Sequence, residues 1–412
     1  MAASDGLYRM KRLLEVLDHP EDGIKALHIA GTNGKGSTAV FMAAVLEATG
    51  YTVGLYTSPH LEVYNERIQI WNGEHRMIDD DDYSRLESQV NAAESEIRAD
   101  INPETGDLIG DLHFFEKITA VAYLYYAETK PDYVVLECGL GGRLDSTNTL
   151  EHPLVSVLTQ IGLDHTEQLG RTIFKIIREK AGIIKAGVPV VTQSDNLAEQ
   201  QIIHGIAKEK GCNYVDVADH KKDFHKYALG MKGSYQLDNA ATAVLAIKAA
   251  GIEISDKAVE EGLKKAVIPG RFEVLSEKPY WIIDGAHNPD ALSAAIDTFN
   301  SYKREKKIAK TLVLFGCMND KNYVRMIQLM HQNFRNCDFM TVDFDNERGA
   351  SAEMLAQYIT ECGHECMICD SVDEAFELAS SQNYECVLTI GSIYLAGAIR
   401  NKFLKGECGY VR

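Results

Sequence analysis

The stretch that decides the fold is Ala26-Leu27-His28-Ile29-Ala30-Gly31-Thr32-Asn33-Gly34-Lys35-Gly36-Ser37-Thr38. Its first five residues are mostly apolar and predict a short buried strand. From Ser37 onward the spacing is helical, and a turn with three glycines and one lysine lies between the strand and this helical stretch. In this context backbone N–H groups converge on a phosphate at the amino end of a helix, so the stretch predicts a phosphate-binding loop.

This loop differs from the common phosphate-binding motif G-x-x-x-x-G-K-[ST] in two places. Ile29 stands where the first glycine is expected, and Gly36 separates Lys35 from the hydroxyl residue Ser37. On the spacing alone, a glycine-rich turn without a ligand therefore stays open as an alternative. The residues expected to contact a nucleotide in this loop are Asn33, Gly34, Lys35, Gly36, Ser37 and Thr38.

On both sides of the loop, short apolar runs alternate with longer segments of helical periodicity. This alternation predicts an α/β fold in which helices cover a parallel sheet. In the first half of the chain, the predicted strands are Ala26–Ala30, Val53–Tyr56, Tyr133–Glu137, Leu154–Leu158 and Pro189–Thr192, and the predicted helices include Lys35–Thr49, Phe114–Glu128, Thr172–Lys180 and Leu197–Lys210.

A second alternating series begins after Pro269-Gly270-Arg271. We therefore expect two domains, a P-loop-containing parallel-sheet ATPase domain over residues 1–270 and a smaller Rossmann-like α/β domain over residues 271–412. The strands predicted in the second domain are Trp281–Ile283, Thr311–Phe315, Asp338–Val342, His364–Cys369 and Cys386–Ile390.

The composition is that of an acidic globular protein. Among 412 residues, 60 are acidic and 42 are basic, which gives a net charge of −18. Nucleic-acid backbones need concentrated positive charge, so a general nucleic-acid binder is not expected. No run approaches the length of a membrane span, and the amino end lacks the basic and apolar regions of a secretory signal. We expect a cytosolic, cytoplasmic protein with free cysteines and no membrane partner.

Two clusters of potential metal ligands have structural interpretations. Asp79-Asp80-Asp81-Asp82 opens a polar helical stretch, where carboxylates cap backbone N–H groups and favour the positive end of the helix dipole. Cys362, His364, Cys366 and Cys369 lack the paired spacing of common zinc sites. That segment is interpreted as a helix end, a turn at Gly363 and a strand.

Three residues downstream of the loop have chemistry that suits a phosphate site. Glu137 ends a predicted strand, where the carboxyl edge of a parallel sheet gathers ligands and a carboxylate suits a hard cation. His165 follows another strand, and Lys180 lies in a predicted helix. From residue type alone, a polar strand end, a structural histidine and a solvated surface lysine are the open alternatives.

Further motifs follow the loop along nearly the whole chain. They are Tyr56–Leu61, Asn65–Ile68, Phe115–Glu116, Glu137–Asp145, Gly162–Thr166, Arg178–Ile183, Asp238–Ala240, Pro269–Phe272, Asp284–Pro289 and Gly391–Leu395. Together with the variant loop Gly-Thr-Asn-Gly-Lys-Gly-Ser, this ordered set resembles that of the Mur-type ligases. It is most similar to the folylpolyglutamate synthase/dihydrofolate synthase family.

The resemblance implies an ATP-dependent ligase. The γ-phosphoryl group of ATP would pass to a carboxylate of folate or dihydropteroate, and L-glutamate would then attack the acyl phosphate. It also implies two magnesium ions, a carbamylated lysine at Lys180 and a protein that acts as a monomer. The implied catalytic residues are Lys35, His165 and Lys180, and the implied metal-binding residues are Ser58, Glu137, His165 and Lys180.

The resemblance also assigns residues to the two substrates. Asn239, Arg271 and Asp284 match nucleotide contacts of the family. The residues implied for the pterin-bearing acceptor are His113, Phe115, Glu116, Asp145 and Ser146, although position 113 is usually a hydroxyl residue in the family. Two alternatives remain, namely another Mur-type amino-acid ligase and a nucleotide-dependent switch protein. Whether dihydrofolate synthase activity is also present stays open.

Overall fold

A computed structural model describes residues 4–194, 196–334, 336–344 and 346–405. The chain divides into two compact units, residues 4–230 with 236–266 and residues 231–235 with 267–405. The boundary predicted after residue 270 lies a few residues beyond the break between residues 266 and 267. No helix within the described ranges is both long and apolar enough to span a bilayer.

The first unit contains an eight-stranded sheet in the order β4-β3-β2-β5-β1-β6-β7-β8. In this sheet order, every neighbouring pair along β2-β5-β1-β6-β7-β8 is parallel, whereas the pairs β2–β3 and β3–β4 are antiparallel. The prediction of a parallel sheet is therefore right for its centre and incomplete at one edge. The strands are β1 Ala26–Ala30, β2 Val53–Tyr56, β3 Ile68–Trp71, β4 His75–Met77, β5 Tyr133–Glu137, β6 Val155–Leu158, β7 Val190–Thr192 and β8 Tyr214–Asp216.

Helices cover both faces of this sheet. One face carries α1, α3 and α4 over a cluster that includes Tyr56, Ile68 and Leu136, and α6 and α7 continue the layer over β6 and β7. The other face carries α2 and α8, with α9 against α2. The helices are α1 Ser4–Val16, α2 Lys35–Thr49, α3 Asp80–Ile97, α4 Phe114–Thr129, α5 Thr166–Leu169, α6 Ile173–Ala181, α7 Leu197–Glu209, α8 Gln236–Ala249 and α9 Asp256–Lys265.

The second unit contains a six-stranded sheet in the order β13-β12-β11-β14-β10-β9, parallel except for β9. One core packs α10, α11 and α12 against the sheet, and on the other side Trp281 packs against Phe376 and Phe403. Its elements are β9 Glu273–Glu277, β10 Tyr280–Asp284, α10 Pro289–Lys306, β11 Thr311–Phe315, α11 Tyr323–Asn333, β12 Cys337–Val342, α12 Ala352–Glu361, β13 Cys366–Cys369, α13 Val372–Ser381, β14 Cys386–Ile390 and α14 Ile393–Leu404.

Both candidate metal clusters of the sequence occupy the structural places expected of them. Asp79 is the cap residue of α3, and its side chain accepts from the backbone N–H of Asp82 at 2.8 Å. Helix α12 ends at Glu361, Gly363 has a φ of +91°, and β13 follows from Cys366. The interpretation of the cysteine-rich segment as helix end, turn and strand is confirmed, although the strand begins two residues later than predicted.

Candidate active site

At two positions of the phosphate loop only glycine fits, because other side chains lie too close for a Cβ atom. A Cβ atom at Gly31 would lie 1.8 Å from Oγ1 of Thr159. Gly34 has a φ of +86°, in the left-handed region, and a Cβ there would lie 2.4 Å from Oδ1 of Asn239. The loop can therefore curl tightly between β1 and α2, and Asn239, a predicted nucleotide contact on α8, lies directly against it.

Thr32 joins the loop to a second loop that is remote in sequence. Its Oγ1 donates to the carbonyl of Gly162 at 3.1 Å and accepts from the N–H of Gly162 at 3.0 Å. The N–H groups of Thr32 and Asn33 both donate to the carbonyl of Gln160, at 2.8 and 3.2 Å. The segment after β6, which contains Asp164 and His165, is thereby fixed beside the phosphate loop.

The first turn of α2 presents polar side chains that are almost fully buried. Ser37 accepts from Nε2 of Gln236 at 3.3 Å, and Asn239 donates to Oε1 of the same glutamine at 2.9 Å. The hydroxyl of Thr38 is buried without a hydrogen-bond partner within the described part of the chain. A buried polar atom without a partner is costly, so this hydroxyl fits a ligand at the helix amino end. Gln236 was not predicted from the sequence, although it lies one helical turn before Asn239.

Glu137 connects the loop lysine to the predicted metal-binding serine. One oxygen of its buried carboxylate lies 3.9 Å from Nζ of Lys35, and the other accepts from the backbone N–H of Ser58 at 3.1 Å. Strand β5, which ends at Glu137, is the direct neighbour of β1 and β2. The parallel sheet therefore gathers the three residues at the carboxyl ends of adjacent strands.

Lys180 lies buried against the loop rather than on the surface. Its Nζ donates to the carbonyl of Gly31 at 2.6 Å. Burial, reinforced by the positive charge of Lys35, lowers the pKa of Lys180 to about 7. Lys185, the neighbouring alternative, is less buried and donates instead to the carbonyl of Asn148 at 3.1 Å. Lys180 thus combines nearness to the loop with a substantial neutral fraction near neutral pH.

His165 directly precedes the short helix α5 as its cap residue and has a left-handed conformation, with a φ of 49°. Its backbone N–H donates to Oδ1 of Asp164 at 2.9 Å, and its Nε2 lies 3.9 Å from the same oxygen. The charge of Asp164 opposes the lowering of the pKa of Lys180. The Asp164–His165 pair and Lys180 therefore share one electrostatic environment beside the loop.

Asp145 is a buried carboxylate with several donors. It accepts from the N–H of Leu140 at 2.8 Å, from the N–H of Thr147 at 3.0 Å and from the hydroxyl of Thr147 at 2.6 Å. Burial raises the pKa of Asp145, and these hydrogen bonds oppose the rise. Ser146 begins the 3₁₀ helix Ser146–Thr149 that follows. Most of the donors to Asp145 are local, so its orientation is fixed by its own turn.

The predicted acceptor residues on α4 differ in their surroundings. The ring of Phe115 lies against Gly139, where a Cβ atom would come within 2.4 Å of it. His113 is exposed, whereas Glu116 is buried in an ion pair with Arg9 at 2.9 Å. Glu116 also accepts from the N–H of His113 at 2.6 Å and so caps the helix. The contacts of Glu116 are those of a structural residue, and its role toward an acceptor stays a prediction.

Arg271 and Asp284 lie together within the second unit. Asp284 is buried and accepts from the N–H of Phe272 at 2.9 Å and from that of Ala286 at 2.8 Å. Burial raises the pKa of Asp284, and the charge of Arg271 opposes this. Nδ1 of His287 lies 3.1 Å from the carbonyl of Gly285. The carboxylate thus stabilises the turn around Phe272 and Ala286, and nucleotide contact by Arg271 and Asp284 stays a prediction.

Both units match protein families along the chain. Residues 29–247 match the Mur ligase middle domain, and residues 270–393 match the glutamate ligase domain of the Mur ligases. The dihydrofolate synthase/folylpolyglutamate synthase of Bacillus subtilis is 36% identical, over 96% of this chain and 94% of the relative.

Solved structures agree with this match over nearly the full length. Escherichia coli FolC in complex with DHPP and ADP is similar with a TM-score of 0.83 and 29% identity, over 98% of this chain and 94% of that one. The bifunctional Yersinia pestis folylpolyglutamate synthase/dihydrofolate synthase complexed with AMPPNP and Mn gives a TM-score of 0.82 and 29% identity, over 97% and 93%. The chain therefore belongs to the folylpolyglutamate synthase/dihydrofolate synthase family of ATP-dependent Mur-type ligases.

Proposed function

We propose that this ligase transfers the γ-phosphoryl group of ATP to a carboxylate of a folate-type acceptor and joins L-glutamate to the acyl phosphate. The observation that carries the proposal is the meeting of Lys35, Glu137 and Lys180 at one phosphate loop. Such a reaction needs positioning and charge neutralisation more than covalent help from the protein. A switch protein would have no need of the buried Lys180 or of an acceptor-side carboxylate such as Asp145.

The loop and α2 would bind the phosphates. The backbone N–H groups at the amino end of α2 favour an anion, and Lys35 adds a point charge beside them. Asn239 and Gln236, which contact Gly34 and Ser37, hold the loop in this form. In the second unit, Arg271 offers a planar guanidinium that suits a phosphate, and Asp284 offers acceptor oxygens to the nucleotide.

Magnesium fits the carboxylate of Glu137 and the hydroxyl of Ser58, because hard cations prefer oxygen ligands. It would neutralise the charge on the phosphates during transfer. We further propose a second magnesium beside His165, held with a carbamylated Lys180. The partly neutral amine of Lys180 supports this assignment, because only a neutral amine can add carbon dioxide. The carbamate would present oxygen ligands where an ammonium would repel a cation.

The acceptor would lie between α4 and the turn after β5. Asp145 would accept from the amino and ring N–H groups of a pterin, and the ring of Phe115 would pack against it. Ser146 and the exposed His113 would contribute polar contacts at the edge of this site, in a protein that acts as a monomer. Both dihydropteroate and reduced folates offer such a pterin, so the proposed acceptors include both.

The test is acceptor-dependent release of ADP by the full-length chain. Dihydropteroate and a reduced folate are assayed side by side, each with and without L-glutamate. We expect ADP release to require an acceptor and glutamate together, with the glutamylated product detected by mass spectrometry. Release of ADP that neither substrate changes would refute the proposal and favour a nucleotide-dependent switch protein. Turnover with other amino acids in place of glutamate would point to another Mur-type ligase.

A further inference from the structure

Arg67 is a buried cation near the candidate active site, and the described part of the chain offers it no carboxylate partner. Only 8% of the solvent-accessible surface of Arg67 is exposed, and the residue ends the short 3₁₀ helix Tyr64–Arg67. Within the described part of the chain, no carboxylate lies within 4.0 Å of its guanidinium. The nearest carboxylate in sequence, that of Glu66, accepts instead from the N–H groups of Leu61, Glu62 and Val63. A buried charge without a counterion is costly, so its surroundings suit an added anion.

The hydrogen bonds of the guanidinium leave most of its donors unused. Nε donates to Nδ1 of His60 at 3.0 Å, and neither terminal nitrogen has a partner among the described residues. Because Nδ1 of His60 must accept, the neutral ring carries its proton on Nε2 and offers a second donor. Arg67 and His60 thus form a small group of donors, in which the terminal nitrogens of Arg67 have no acceptor among the residues that the structure describes.

Arg67 also lies between the two predicted halves of the site. Its carbonyl accepts from the N–H of Thr57 at 3.1 Å, next to Ser58, whose own N–H donates to Glu137. On the other side, its guanidinium carbon lies 5.4 Å from the ring centroid of Phe114, which is 51% exposed and precedes Phe115. An anion held here would lie between the candidate metal ligands and the candidate acceptor aromatics.

We propose that Arg67, with His60 beside it, is an oxyanion subsite that binds a carboxylate of the acceptor. The inference rests on the proposed ligase function and adds a residue that the acceptor motifs do not include. Arg67 suits this role because its planar guanidinium can donate two parallel hydrogen bonds to one carboxylate. The exposed ring of Phe114 offers an apolar face beside that carboxylate. A phosphate of ATP has the same oxyanion chemistry, so the experiment must separate the two sources.

The experiment is calorimetric titration of the full-length protein saturated with AMPPNP and magnesium. Two pterins are compared, dihydropteroate and 6-hydroxymethyl-dihydropterin, because the second lacks the carboxylate. In R67Q we expect dihydropteroate to bind about 10-fold or more weakly and the carboxylate-free pterin to bind within about twofold of wild type, since charge-assisted bidentate pairs are strong. R67K keeps the charge without the planar fork, so its loss should be intermediate. AMPPNP affinity should stay unchanged in both variants.

Arg76 provides a matched control, since it lies exposed on β4 and R76Q removes one positive charge elsewhere on the same unit. R76Q should bind both pterins as wild type does. Equal weakening of both pterins in R67Q and R67K would mean a structural role and overturn the inference. Weaker AMPPNP binding with unchanged dihydropteroate binding would assign the subsite to a phosphate and overturn it too. If the wild type turns over dihydropteroate, and R67Q and R67K bind it with wild-type affinity, the proposed subsite is refuted and the proposed function is not. Absence of turnover by wild type defeats the proposed function instead.

Discussion

Replacing Lys180 by methionine should stabilise the first unit near neutral pH while abolishing ligase activity. The folded-state pKa of about 7 lies far below the ordinary lysine value of 10.5, because burial disfavours the charged form. Each pKa unit of difference between the folded and unfolded chain corresponds to about 1.4 kcal/mol of stability. Because half of the folded molecules keep the proton at pH 7, the burial of Lys180 costs on the order of 4 kcal/mol of folding free energy at that pH. Loss of the hydrogen bond to Gly31 offsets about 1 kcal/mol of the gain in the variant.

The sign of the pH dependence follows from proton binding. Between the folded and unfolded pKa values of Lys180, the unfolded chain binds more protons than the folded one, so stability of the wild type rises with pH across this window. Methionine cannot titrate, so the advantage of the variant should be about 3 kcal/mol at pH 7 and should vanish near pH 10. Below pH 7 the advantage should stay near its maximum.

Urea unfolding measures this difference if one unit can be observed alone. Trp71 belongs to the first unit and Trp281 to the second, so a W281F background leaves Trp71 as the fluorescent reporter of the first unit. Carbonate-free buffer prevents carbamylation from changing the wild type. Lys257 is 84% exposed, so K257M serves as the control and should change stability little at any pH. A stability difference between K180M and wild type that does not change from pH 7 to pH 10 would refute the buried, partly neutral lysine.

Substitutions at three further residues test the site. T32V removes the hydroxyl that holds Gly162 and should lower kcat about 10-fold or more with saturating ATP. T32S retains the hydroxyl and should have a kcat near that of the wild type. Equal kcat values in T32V and T32S would contradict the coupling of the two loops. E116Q leaves Arg9 buried without an anionic partner and should cost about 3 kcal/mol in urea unfolding, so loss of acceptor binding at unchanged stability would favour a substrate role for Glu116. E137Q keeps the shape of the side chain but should raise the magnesium concentration for half-maximal activity about 10-fold, and an unchanged magnesium dependence would disprove its role as a metal ligand.

The central strands and the phosphate loop could be predicted because local pattern decides them. Strands β1, β2 and β5 have the predicted ends, since each is a short, almost fully buried apolar run between turn residues. Pro189 was predicted to begin β7, but the strand begins at Val190. A proline has no N–H to donate, so Pro189 contributes only its carbonyl, which accepts from Ser156.

The edges and the long-range contacts could not be predicted in the same way. Strand β9 is only half buried, and all three residues of β4 are exposed, so neither strand shows a buried apolar pattern. The pairing of Thr32 with Gly162 joins positions 130 residues apart, and nothing near either residue signals it. The ion pair between Glu116 and Arg9 joins positions 107 residues apart, and nothing in the sequence near either residue signals it.

The exposed strand β4 also bears on the behaviour of the protein at high concentration. An unpaired sheet edge offers free N–H and C=O groups on which another chain can build a strand. Here the edge is closed by a strand of only three residues, His75–Met77, that includes the charged Arg76 and a histidine whose Nε2 contacts Glu47 at 3.0 Å. A short, charged edge cannot template a long intermolecular ladder. The antiparallel hairpin of β3 and β4 therefore disfavours the addition of another strand at this edge of the large sheet.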